Sequence, residues 1–366
     1  MTAKRNILLN PGPVTLTDRV RKALIRDDWC HREPEFAELT REINAELIRV
    51  YPGMEVDFSA VMMTGSGTSA VEAMLASFAP DTTTTLVLAN GVYGERMAKM
   101  LAAHRKPYRL SQAQWMAPVN VDAAARIVAE HPEITHLATV HHETTTGRLN
   151  DLDAIGAMCK ARNLSLLLDG VSSFAAEPID AEAWNLAAVA ATANKCLHGA
   201  PGMSFVIARN ALWSQVQTEV SSVYLDLFAY YAGQHGNGYS PFTQAVPAAF
   251  ALQAALIELR EAGGWAERRR IYQLRAARIA RELASLNIHM LLNEKEYSCV
   301  LRSYLLPDGC DYSAAHDAFK RAGFVIYSGQ GQFSENLFRL ANMGAIEADD
   351  LDALAAAFAD IFGPYQ

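Results

Sequence analysis

The chain has 366 residues, 51% of them hydrophobic and 20% charged, a balance that supports a large buried core and excludes a disordered polypeptide. Thirty-two Lys and Arg against 40 Asp and Glu leave a formal charge of −8, which argues against nucleic-acid or polybasic membrane partners. The five cysteines (Cys30, Cys159, Cys196, Cys299, Cys310) form no CxxC pair, which argues against a disulfide framework or zinc site and fits a reducing compartment.

In chain order, Met1 to Arg5 lead into an Asn10-Pro11-Gly12-Pro13 turn without an apolar leader, and no apolar run reaches membrane-spanning length. A cytoplasmic location is expected. Leu16–Ile25 and Glu35–Val50 read as amphipathic helices, the second carrying Phe36, Leu39, Ile43, Leu47 and Val50 at helical spacing. Strand and helix patterns then alternate. Strands are expected at Ala60–Thr64, Thr84–Ala89, Tyr108–Leu110, Thr135–Val140, Leu164–Asp169, Ala187–Ala191 and Met203–Ala208. Helices are expected at Ser69–Phe78, Glu95–Ala103, Val121–Glu130 and Asp151–Arg162. This order predicts an α/β fold with a mostly parallel sheet between helices. Gly65, Asn90, Glu143, Asp169 and Lys195 then fall at the carboxyl ends of strands, where such sheets bind ligands.

Helical patterns at Gln244–Ala262 and Trp265–Leu286, separated by Gly263-Gly264, read as a connector. Short strands at Ser298–Leu305, Phe324–Tyr327 and Leu337–Leu340 follow, with helices at Ser313–Arg321 and Ala348–Phe362. These predict a smaller α+β domain onto which the N-terminal arm folds back. The expected division is 16–255 for the large domain, and 1–15 with 256–366 for the small one.

The chemistry is carried by an acid at the end of one buried strand, Asp169, and a lysine after the next, Lys195. Pyridoxal phosphate chemistry demands this pair: the lysine forms the Schiff base, and the acid keeps the pyridinium nitrogen protonated so that the ring is an electron sink. Separately, Asp169 reads as a helix cap and Lys195 as a surface lysine. Lys195, however, lies between an apolar strand and the Gly199-Ala200-Pro201-Gly202 turn, a position suited to a pocket.

Gly65-Ser66-Gly67-Thr68 opens a helix after a strand, so free N–H groups with the Ser66 and Thr68 hydroxyls suit a phosphate; an ordinary capped turn is the alternative. Tyr93, between Gly91 and Gly94, suits stacking on a flat ring, or packing in a turn. His141-His142-Glu143-Thr144-Thr145-Thr146-Gly147 is polar for a strand end. A metal reading lacks a further ligand cluster, and Thr145 is the expected contact to a cofactor phenolate oxygen. Arg339, a charge in the apolar stretch Leu337–Ala341, needs an anionic partner, either a protein carboxylate or a substrate. Arg32 is a second candidate for substrate binding.

With these residues assembled, the chain resembles the fold-type I pyridoxal phosphate aminotransferases, and among them the 2-aminoethylphosphonate:pyruvate aminotransferase family. The likeness is carried by Asn10-Pro11-Gly12-Pro13, Gly65-Ser66-Gly67-Thr68 with Val71-Glu72-Ala73, and Asn90-Gly91-Val92-Tyr93-Gly94. It continues through His142-Glu143-Thr144-Thr145-Thr146-Gly147, Asp169 with Ser172-Ser173-Phe174, Ala193-Asn194-Lys195-Cys196, Tyr224-Leu225-Asp226-Leu227 and Gly323-Phe324-Val325-Ile326-Tyr327.

The resemblance implies a seven-stranded sheet, a pyridoxal 5'-phosphate cofactor, and transfer of an amino group from 2-aminoethylphosphonate to pyruvate. It implies cofactor contacts at Ser66, Gly67, Thr68, Tyr93, Thr145, Asp169, Thr192 and Lys195, with no metal. It also implies a homodimer with active sites at the interface, Thr243 reaching the cofactor phosphate across it, and Arg339 holding the substrate anion. The chain departs from the family pattern at Gly170, Ala175, Ala176, His198, Ala200, Gln244 and Ala341-Asn342-Met343, positions that flank the pockets and bear on the amino donor. An alanine– or serine–glyoxylate aminotransferase is the alternative enzyme. An inert relative acting as a binding protein is the alternative of another class, and the presence of both Lys195 and Asp169 counts against it.

Overall fold

The computed structural model describes residues 5–214 and 220–365. Seven strands form the main sheet: β1 (Phe58–Thr64), β2 (Thr84–Ala89), β3 (Tyr108–Gln112), β4 (Ile134–Val140), β5 (Ser165–Asp169), β6 (Leu186–Thr192) and β7 (Met203–Arg209). Their order is β1-β7-β6-β5-β4-β2-β3. Only β7 runs antiparallel to its neighbours within this sheet. The sheet is therefore the mostly parallel one expected, with each strand run placed within a few residues of its pattern.

Burial on both faces explains why the central strands read as continuous apolar runs. Leu86, Leu88, Leu166, Leu168, Val189 and Phe205 pack on one side with the helices Pro34–Ile48 and Val246–Glu261. Val87, Leu167, Ala188, Ala190 and Val206, one residue out of phase, pack on the other with the helices α1 (Gly67–Phe78) and α2 (Val92–Ala103). Side-chain caps start several of the surrounding helices. Asn120 accepts from Ala123 N, Asp151 from Ala154 N, and Asp311 from Ala314 N.

After β2 the chain crosses outward through α2 to β3; after β4 it turns the opposite way to β5. The carboxyl ends of β2 and β4 thus diverge, opening the crevice where α/β sheets bind ligands.

A smaller antiparallel sheet orders Leu301–Leu305, Leu337–Ala341 and Tyr327–Ser328. Ile7–Leu8 pairs parallel with Phe324–Val325, so the N-terminal arm folds back as expected, and Ile7 and Leu9 enter the same core as Ile279, Phe319, Phe338 and Phe358. Some boundaries differ for local reasons. The Ser298–Leu305 pattern becomes a strand only from Leu301, because the Ser298 hydroxyl and Cys299 N–H donate to Glu177 instead. The helix expected from Gln244 begins at Val246, since Gln244 and Ala245 are tied to the Thr64 hydroxyl. The helix Leu227–Gly236, capped by Asp226, escapes sequence reading because its apolar and aromatic residues, broken by Gly233, give weak helical periodicity.

Candidate active site

Asp169 closes β5 beside β6, the strand that leads to Lys195. The Asp169 carboxylate accepts from Val171 N at 3.0 Å and is 6% exposed. Burial pushes its pKa up to about 6, opposed by that hydrogen bond and by the charges of Lys195 and Arg96. Burial pulls the Lys195 ammonium down to about 8, against the opposing effects of Cys196 and Asp169. Lys195 Nζ donates to the carbonyl of Pro11, so the N-terminal turn lies across the lysine. Gly12 is required there: at φ +120°, a Cβ would sit 2.7 Å from Lys195 Cδ.

The start of α1 faces the same region. Ser66 caps the helix by accepting from Ser69 N, and the Thr68 hydroxyl accepts from Arg96 Nη1 at 3.4 Å. Gly67 permits close packing, since a Cβ there would meet Val171 Cγ1 at 2.7 Å and Thr192 Cβ at 3.3 Å. The Thr192 hydroxyl donates to Asn194 Oδ1 at 2.8 Å. Thr68, Tyr93, Arg96, Asp169 and Val171 line one recess. Arg96 covers the Tyr93 ring, its guanidinium carbon 4.8 Å from the centroid.

On the other wall, Arg339 is completely buried. Its Nε donates to Ser328 O and its Nη1 to Thr144 O, both at 2.8 Å, while Nη2 has no partner among the described residues. The Tyr327 ring lies 5.4 Å from its guanidinium carbon. Desolvation lowers the Arg339 pKa. No described carboxylate forms an ion pair with it, although the charge of Glu143 acts on it. The Thr144 and Thr146 hydroxyls are also buried, without partners among the described residues. The Thr145 hydroxyl donates to Glu143 Oε1 at 2.6 Å and accepts from Val92 N at 3.1 Å, so it is committed to the protein.

The structure therefore gathers Lys195, Asp169, Ser66, Gly67, Thr68, Tyr93, Thr145 and Thr192 along one rim of the main sheet, and Arg339 joins them from the smaller sheet through the Thr144 carbonyl. Among the described residues, no contact joins Arg32 or Thr243 to them. Arg32 is exposed and donates to Pro241 O at 3.0 Å, and Thr243 is exposed two residues further on. His141 and His142 are buried and neutral, both pulled down to about 4 by desolvation, and His142 Nδ1 lies 3.0 Å from Ser172 O. No group of three metal-binding side chains comes together among the described residues. Sequence reasoning missed Arg96 and the Pro11 carbonyl. The signal for Arg96 was its place one helical turn after Tyr93; nothing local marks Pro11.

The aminotransferase class-V family model matches residues 35–328. A 2-aminoethylphosphonate–pyruvate transaminase of Vibrio cholerae serotype O1 is 34% identical over 355 residues, 96% of each chain. One from Bacillus cereus (strain AH820) is 31% identical over 361 residues, 98% of each. Among solved structures, an aspartate aminotransferase of subgroup IV from Thermus thermophilus superposes with a TM-score of 0.88 at 25% identity, covering 99% of this chain and 100% of that one. An alanine–glyoxylate aminotransferase from Nostoc sp. shares the fold, with a TM-score of 0.90 at 23% identity over 99% of this chain and 96% of that one. A mostly parallel sheet with an acid and a lysine on its rim is thus found in a chain that belongs to the class-V aminotransferases.

Proposed function

We propose that the protein is a pyridoxal 5'-phosphate-dependent transaminase that moves the amino group of 2-aminoethylphosphonate to pyruvate, giving phosphonoacetaldehyde and L-alanine. The observation that carries this reading is Arg339, a buried guanidinium with a free Nη2 and no protein carboxylate among the described residues. An anion would complete the hydrogen bonding of such a cation, and both the phosphonate donor and the carboxylate acceptor supply one. The names of the 34% and 31% identical relatives support this donor and acceptor.

The residues present fit the cofactor. The amino end of α1, with Ser66, Gly67, Thr68 and Thr192, would hold its phosphate, since helix N-termini offer unpaired N–H groups and a favourable dipole. Tyr93 would cover one face of the ring, and the unpartnered Thr144 and Thr146 hydroxyls, rather than Thr145, would be available to its phenolate oxygen. When bound, the cofactor supplies an electrophilic carbon for amines and a ring that accepts electrons. Asp169 holds the proton on the ring nitrogen. Lys195 Nζ, with its lowered basicity, takes the proton from the substrate carbon bearing nitrogen and returns it on the other side of the transfer. Arg339 orients each substrate in turn by its anionic end, so one pocket serves both half-reactions.

The same proposal includes a cytoplasmic homodimer in which Thr243 reaches the phosphate bound by the partner, and Arg32 as a second substrate-binding residue. It also includes a large domain over 16–255 and a small one over 1–15 and 256–366. The common core of Ile7, Leu9 and residues from Ile279 to Phe362 supports the second. The test is product analysis: with 2-aminoethylphosphonate as sole amine, pyruvate should become alanine and phosphonoacetaldehyde should accumulate. Alanine formed from serine but not from the phosphonate would refute the substrate assignment.

A further inference from the structure

Glu143 is a buried carboxylate that none of the chemistry above uses. No described lysine or arginine pairs with it; its oxygens instead accept four hydrogen bonds. Oε2 accepts from Tyr93 N at 3.2 Å and Gly94 N at 3.3 Å. Oε1 accepts from Thr145 N at 3.1 Å and from the Thr145 hydroxyl at 2.6 Å. That hydroxyl in turn accepts from Val92 N. The first turn of α2, whose own cap residue Gly91 has no side chain, is therefore capped by Glu143 and Thr145, on the short strand His142–Glu143 and the turn that follows β4. Gly91 leaves the space for this: a Cβ there would lie 2.3 Å from Glu143 Cδ.

The position matters because β2 and β4 are the strands whose carboxyl ends diverge. Glu143 spans that opening. On one side it fixes the backbone that carries Tyr93. On the other it fixes the Thr144–Thr145 turn, whose Thr144 carbonyl accepts from Arg339 Nη1. Ser303 Oγ and Ser298 N donate to the Thr146 and Gly147 carbonyls, fastening the same turn to the smaller sheet. A hydroxyl or amide would cap a helix without the cost of burying a full charge. A carboxylate, with no hydrogen of its own, suits a site where every neighbour is a donor.

We propose that Glu143 is a positioning residue that sets the Tyr93 turn and, through the Thr144 carbonyl, the Arg339 guanidinium in register, so that cofactor ring and substrate anion are held by one buried carboxylate. The proposal rests on the transaminase reading above. In Glu143→Gln, the amide NH2 must face backbone N–H donors on one side, and the acceptor left on the other side loses its charge, so both sides are weakened.

The test uses full-length enzyme loaded with pyridoxal phosphate. It compares wild type, Glu143→Gln, Gly91→Ala and Arg339→Lys, and combines Glu143→Gln with Arg339→Lys. The readouts are cofactor dissociation, KM and kcat for each substrate, and a thermal melt. Glu143→Gln should weaken cofactor binding and raise both KM values by about tenfold or more. Its effect on KM should shrink to about twofold or less in the Arg339→Lys background, because the group it orients is gone. Gly91→Ala keeps the charge but displaces the carboxylate, so it should show the same pattern, and it carries the test if Glu143→Gln does not fold.

A lowered melting temperature with unchanged cofactor affinity and KM, or full additivity with Arg339→Lys, would overturn the proposal and leave Glu143 a helix cap. A wild type that binds cofactor but ignores 2-aminoethylphosphonate would overturn the substrate reading alone. The same comparison would then be read with the amine and oxo acid that it does use.

Discussion

Replacing Asp169 by asparagine should make the cofactor-free protein more stable while disabling the chemistry. Burial lifts the Asp169 carboxyl from its ordinary 3.8 to about 6. At about 1.4 kcal/mol per tenfold change in acidity, ionising it in the folded chain costs roughly 3 kcal/mol more than in the unfolded chain. Because the folded pKa is the higher one, the unfolded chain releases its proton first. Stability therefore falls as pH rises from about 4, and the full cost is present above about 6. The substituted amide would keep an oxygen to accept from Val171 N and carry no charge. Chemical denaturation of the apoprotein should thus show Asp169→Asn stabilised by up to about 3 kcal/mol at pH 8, with the gain vanishing as pH falls below about 4. Loaded with cofactor, the same variant should lose on the order of 10³-fold in the single-turnover rate, about 4 kcal/mol of barrier. Equal or lower stability at pH 8 would refute the burial argument; near-normal turnover would move the electron-sink role elsewhere.

Arg339→Lys should lose the planar guanidinium fork and raise KM for both 2-aminoethylphosphonate and pyruvate by about tenfold or more, with a smaller change in melting temperature. A protein that melts much lower yet binds both normally would make Arg339 structural. Lys195 should capture pyridoxal phosphate as its free amine, so the capture rate should rise with pH and level off above about 8, the value to which burial lowers it. A rise continuing through about pH 10, where an ordinary lysine titrates, would contradict that environment. Gly12→Ala places a Cβ against Lys195 Cδ at a left-handed φ. It should lower stability by about 1–3 kcal/mol and slow cofactor capture, whereas wild-type behaviour in both assays would show that the N-terminal turn yields freely.

Much of this was legible in the sequence, for reasons that can be named. Strands such as Ser165–Asp169 and Leu186–Thr192 are buried on both faces, so they stand out as apolar runs whose ends are chemically abrupt. Asp169 and Lys195 are informative because those residue types occur at those ends. Arg339 was legible as a charge in an apolar strand, but whether a protein acid met it was a question of tertiary geometry. Glu143 was harder: beside two histidines it invited a metal reading, and its hydrogen-bond partners lie some fifty residues earlier on α2. Thr145 looked free in the sequence and is held by Glu143. The roles of Arg32 and Thr243 were suggested by resemblance and by residue type alone, and both side chains are exposed, away from the other candidate residues.

The measurement that tests the central claim most directly is the half-reaction of cofactor-loaded enzyme with single amines, followed by the loss of the bound cofactor's visible absorbance in the absence of any oxo acid. The account predicts that 2-aminoethylphosphonate bleaches this absorbance far faster than serine does, that pyruvate restores it with formation of alanine, and that Lys195→Ala shows no turnover. Bleaching by serine with glyoxylate as the restoring acid, and none by the phosphonate, would contradict it.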